Sequence, residues 1–133
     1  MQEIRADRVL RLTMLFHDVA KPVCRTEDEN GIHHFHGHPE VGAEMARKIL
    51  RRLKFDNDTI SKVSRLIKYH DDRPMPEMRS VRRAVNRIGE DLFPMYLEVQ
   101  EADMLAQSEY RREEKSARLK GVAECYHKVV EEK

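Results

Sequence analysis

His17 and Asp18 stand side by side at the end of an apolar run, Val9, Leu10, Leu12, Met14, Leu15 and Phe16, and Lys21-Pro22 follows. Packing alone does not ask for an imidazole and a carboxylate at the end of a buried helix, whereas a divalent metal with a phosphate ligand asks for both. Two more metal-binding types interrupt apolar stripes. His70 extends the stripe of Ile60, Val63 and Ile67, and Asp103 lies on that of Leu92, Tyr96, Val99 and Ala106. All these side chains are expected to point inward. A buried carboxylate is costly unless a cation or strong donors compensate. Imidazole nitrogen mixed with carboxylate oxygen suits Mn, Ni, Mg, Fe or Zn rather than a thiolate site. Taken singly, each residue has a plainer reading. A histidine on an apolar face is more often a hydrogen-bonded core residue, and Asp103 can cap a backbone or pair with an arginine. Their joint occurrence with His17-Asp18 favours the metal.

The elements that must position these groups are nearly all helices, because Gly and Pro are scarce and the long segments are rich in Leu, Ile, Met, Ala, Arg, Lys and Glu. The first helix is expected from about Ile4 to Phe16 or a little beyond. An irregular stretch from Lys21 to Gly37 follows, with an Asn30-Gly31 turn signal that predicts a short hairpin or excursion near residues 22–37. Pro39 opens the next helix, whose apolar residues are Met45, Ala46, Ile49, Leu50 and Leu53. Asp56-Asn57-Asp58 supplies N-cap candidates for a third helix that carries Ile60, Val63, Leu66, Ile67 and His70. The run Asp71 to Pro76 must be a loop. Ser80 is a candidate cap for a short helix ending near Gly89. Another helix is expected from Asp91 to Ser108, and a last one from Tyr110 to Val130 with Leu119, Val122, Ala123, Tyr126 and Val130 inward.

At 133 residues the chain is expected to be a single domain, 1–133. Its 25 basic and 24 acidic residues leave a net charge of +1, so bulk charge argues for neither nucleic acid nor membrane as a partner. Cys24 and Cys125 lack metal-finger spacing, no signal segment opens the chain and no apolar stretch is long enough for a membrane helix. The expectation is a cytoplasmic protein with reduced thiols and no membrane partner.

The strings LFHDVAKP, GHPEVGAEMARKIL, LIKYHDD and VQEADMLAQ resemble the HD-domain phosphohydrolase superfamily. More narrowly, they are similar to the HD domain in the C-terminal part of bacterial CCA-adding tRNA nucleotidyltransferases and poly(A) polymerases. The similarity runs from about Leu10 to the last helix. It implies an all-α fold, an HD-type bundle of about six helices. It also makes His17 and Asp18 the metal-binding dipeptide and Asp103 the closing aspartate ligand. His38 and His70 match intervening histidines that either bind a second metal or hold the phosphate, Asp71 matches the acidic partner beside the latter, and Lys21 would contact a phosphate oxygen. The implied reaction is metal-assisted hydrolysis of a phosphoester in a nucleotide or an RNA end, with Asp18, Lys21, His38 and His70 as the catalytic set. Activities of this kind in related domains include 2',3'-cyclic phosphodiesterase, 2'-nucleotidase and phosphatase.

Two departures qualify the resemblance. No histidine precedes His17, where the superfamily usually has a further ligand on a preceding helix, and the expectation is a fragment of a larger protein lacking that helix. The nucleotidyltransferase head, with its Gly-Ser-rich loop and paired aspartates, is absent from these residues, so the chain is not expected to add nucleotides itself. Among the clustered histidines, His33 and His36 read as solvated loop residues and His34 stays open. Arg79, Arg82, Arg83 and Arg87 fall largely along one helical face, which suits either RNA phosphates, tRNA among them, or a solvated face paired with Glu90 and Asp91. Two alternatives to the hydrolase stand: a non-catalytic helical module that positions RNA, and a free-standing HD hydrolase of free nucleotides.

Overall fold

The computed structural model describes residues 2–19, 26–27, 33–34, 38–106, 109 and 111–132. Among them are six α-helices and one two-stranded hairpin: α1 (Gln2–Phe16), β1 (Thr26–Glu27), β2 (His33–His34), α2 (His38–Arg52), α3 (Asn57–Lys68), α4 (Met78–Ile88), α5 (Phe93–Ala106) and α6 (Arg112–Glu131). The all-helical expectation holds. The excursion is an antiparallel ladder that pairs Thr26 with His34 and Glu27 with His33. The chain forms two compact units, Met1–Asp71 and Asp72–Lys133.

In the first unit α3 packs against both α1 and α2. Its core is Val9 from α1, Ala43, Ala46 and Leu50 from α2, and Ile60, Val63, Leu66 and Ile67 from α3. The α3 start follows from local chemistry. Asp56, in extended backbone, accepts from the Thr59 amide at 3.0 Å and the Thr59 hydroxyl at 2.7 Å, which satisfies one of the orphan donors of the first turn. Leu53, expected in the stripe of α2, is 62% exposed. It lies beyond the last helical residue, where Lys54 takes a left-handed conformation (φ 62°). The amides of Lys54 and Phe55 then bond back to the carbonyls of Arg51 and Leu50, both at 3.0 Å. This termination turns the chain before Leu53 can face the core.

In the second unit α6 packs on α4 and α5. Val81, Ala84, Val85 and Ile88, with Leu92, Phe93, Tyr96, Val99, Val122 and Val129, form the core. Phe93 stacks on Tyr126 with ring centroids 4.9 Å apart. Val129, not Val130, closes the stripe of α6. Residues 122 and 129 are two turns apart, so the next position rotates toward solvent. The start of α4 also differs from the sequence reading. Glu77 takes the cap position, and Ser80 instead accepts the Met75 amide at 2.9 Å. The loop from Asp72 to Glu77 is tied to the helices beneath it. Tyr96 donates to the Asp72 carbonyl, Arg118 donates to the Pro74 carbonyl at 3.2 Å, and a Cβ placed on Gly121 would stand 2.7 Å from the Pro76 Cβ.

These contacts reverse two ordinary rules of substitution. Glycine to alanine inside a helix usually stabilises, but Gly121→Ala is expected to destabilise by about 1–3 kcal/mol, because the Pro76 ring cannot yield without moving the loop. Lys54→Gly is expected to stabilise by roughly 0.5–1 kcal/mol, because it removes a side chain from left-handed backbone. Urea unfolding of the two variants checks both signs.

Candidate functional site

The ends of α1 and α3 build the site in the first unit. His17 follows the last residue of α1, and its Nδ1 donates to the Met14 carbonyl at 2.7 Å. His70 follows α3 by two residues, and its Nδ1 donates to the Ile67 carbonyl at 2.5 Å. A carbonyl only accepts, so each Nδ1 carries a proton. In both cases the acceptor belongs to the last helical turn, and the Ile67 carbonyl also takes the His70 amide at 3.3 Å. Each histidine thereby closes its own helix and fixes its Nε2 toward the same neighbour.

That neighbour is Asp18. Its Oδ2 lies 3.1 Å from His17 Nε2 and its Oδ1 lies 3.7 Å from His70 Nε2. The imidazoles meet edge to face with centroids 5.3 Å apart. His70 is 2% exposed and His17 14%, whereas Asp18 is 40% exposed and opens the group to solvent. Asp71 adds a second carboxylate, 3.6 Å from His70 Nε2. The structure thus brings together His17, Asp18, His70 and Asp71, four of the residues singled out in the sequence.

The electrostatics of this arrangement favour a cation. A neutral imidazole protonated at Nδ1 turns a lone pair, through Nε2, toward carboxylate oxygens that also only accept. Such facing acceptors repel unless a proton or metal ion lies between them. Helix C-termini carry partial negative charge, and α1 has no basic side chain in its last turn to offset it, although α3 brings Arg65 and Lys68. Ligand atoms about 2.1 Å from an ion stand about 3.0–3.4 Å apart. The His17–Asp18 separation fits this spacing and the His70–Asp18 separation is slightly longer. Nδ1 bonded to a backbone carbonyl is also the usual support of a metal-binding histidine. The donor set of His17, Asp18 and His70 therefore suits a borderline or hard divalent ion. Among the described residues no group of three or more His, Cys, Asp or Glu side chains is placed to hold a metal ion.

Lys21 and His36 lie outside the described residues, as do the side chains of His33, His34 and His38; the backbone of His38 opens α2. Asp103 belongs to the second unit, half-buried on α5, where it lines a small cavity with Arg73, Gln100, Lys115 and Arg118. Burial lowers the Arg118 guanidinium below its ordinary value, an effect that Tyr96 opposes and the Arg73 charge reinforces. Burial also pushes the Tyr96 phenol well above its ordinary range, and the Asp72 charge adds to this. Arg79 and Arg83 are exposed on α4.

The family model of the HD domain matches residues 2–125. The chain belongs to the HD domain family. This HD domain is 42% identical over 104 residues to the CC-adding tRNA nucleotidyltransferase of Thermus thermophilus, a match that covers 77% of the chain and 24% of the relative. It is 38% identical over 99 residues to the A-adding tRNA nucleotidyltransferase of Deinococcus radiodurans, covering 74% of the chain and 23% of the relative. The HD domain thus spans about a quarter of the length of these curated relatives. No solved structure gives a significant match. Among the described residues no helix is long and apolar enough to cross a membrane.

The hydrogen bonds of the two histidines predict a definite tautomer. Long-range 15N correlation spectra are expected to show Nδ1 protonated in both His17 and His70. A neutral ring protonated on Nε2 alone at either position would contradict the geometry.

Proposed function

We propose that this HD domain is a metal-dependent phosphohydrolase, a phosphodiesterase or phosphatase acting on nucleotide or RNA-end phosphates, and a part of a tRNA nucleotidyltransferase-like protein. The observation that carries the reading is the Asp18 carboxylate set between the Nε2 atoms of His17 and His70 at two helix ends. The names of the relatives, which act on tRNA, support the substrate class.

His17, Asp18 and His70 would contribute ligands to a divalent ion, with Mn, Ni, Mg, Fe and Zn all compatible with the donors. When bound, the ion supplies Lewis-acid polarisation and a water of lowered pKa. Asp18 is the residue placed to take a proton, because it is the most exposed of the three and presents one oxygen to each imidazole. His70, buried and anchored through Nδ1, holds its Nε2 toward the Asp18 carboxylate. Lys21 and His38 would neutralise charge that develops on the phosphoryl oxygens, as the resemblance implies.

The test pairs metal content, by elemental analysis, with hydrolysis of a 2',3'-cyclic nucleotide in added Mn, Ni or Mg. His17→Ala and Asp18→Ala are each expected to lose bound metal and to lower turnover on the order of a hundredfold or more, with helical circular dichroism intact. Equal turnover in the wild type and Asp18→Ala would overturn the reading.

A further inference from the structure

The strongest unassigned feature is the solvent face of α4. Met78–Ile88 holds Arg79, Arg82, Arg83 and Arg87 and no acidic residue, in a chain whose net charge is only +1. Val81, Ala84, Val85 and Ile88 turn inward, which leaves the four arginines and Asn86 on the opposite face. Like charges one turn apart weaken a helix, so helix stability does not explain this pattern.

The four arginines divide into two kinds. Arg82 sets Nε and Nη2 on the two carboxylate oxygens of Glu132, at 3.2 and 2.6 Å. Arg87 sets Nε and Nη2 on one oxygen of Asp72, at 3.1 and 2.8 Å. These two fasten α4 to the end of the chain and to the loop before it. Arg79 and Arg83 are exposed one turn apart, and among the described residues neither is engaged by a carboxylate.

We propose that this face of α4 docks on the phosphate backbone of a helical RNA, with Arg79 and Arg83 each bonding a phosphate. A guanidinium fork matches phosphate oxygens with two parallel donors, and residues one turn apart can meet consecutive phosphates of one strand. No aromatic side chain is exposed on the face, so unpaired bases have no stacking platform and the contact reads backbone rather than sequence. No apolar side chain is exposed on it either, as insertion into a lipid surface would need. The inference rests on the hydrolase reading only for RNA as the partner class.

The test is binding of a labelled RNA hairpin to the 133-residue chain, by fluorescence polarisation across a range of salt. EDTA keeps any metal-dependent hydrolysis silent, so failure of the hydrolase reading does not decide the result. Arg79→Gln/Arg83→Gln is expected to weaken binding on the order of tenfold and to make the salt dependence shallower by about two. Arg79→Lys/Arg83→Lys should keep most of the affinity, and a shuffled stem should bind equally well. The proposal is overturned by undetectable wild-type binding, by unchanged affinity in the Gln double variant, by dependence on stem sequence, or by tighter binding to phosphatidylserine vesicles than to the hairpin.

Discussion

A helix that ends inside a protein must do something with its last carbonyls, and here two helices solve that problem with the same residue type. His17 closes α1 through Met14 and His70 closes α3 through Ile67. Each bond gives a carbonyl of the last helical turn a side-chain donor, beside the His70 amide in the case of Ile67. The same bond leaves the second ring nitrogen facing Asp18. Structural need and chemical potential are therefore met by one arrangement.

Much of this was legible in the residues. A histidine on the stripe of Ile60, Val63 and Ile67 had to reach the core, and His70 does. His17-Asp18 at the end of an apolar run had to lie where a helix stops. The acceptors could not be read, because every residue offers a carbonyl and only the helix boundary decides which ones fall in the last turn. Asp103 was harder for a different reason. Its stripe predicted an inward carboxylate, but the cations that line its cavity, Lys115 and Arg118 of α6 and Arg73 of the loop before α4, belong to distant parts of the sequence. Small errors of phase account for Leu53 and Val130, where a helix end or one step of rotation carries an apolar residue into solvent.

The second unit depends on a different constraint. Its loop from Asp72 to Glu77 is bonded at the Asp72 and Pro74 carbonyls, which satisfies backbone groups that a loop cannot satisfy itself. Gly121 leaves the surface of α6 shallow enough for Pro76 to rest on it. Arg87 ties α4 to the same loop.

The closeness in sequence of each histidine to its acceptor has a consequence for how the molecule can vary. Both partners of each bond belong to one helix end, three residues apart, so the bearing of the ring is inherited from that helix and not from its neighbours. A core replacement that slides α1 or α3 by a fraction of an ångström carries the ring along without turning it. The packing around these helices is thus free to drift over generations while the two Nε2 atoms keep pointing the same way.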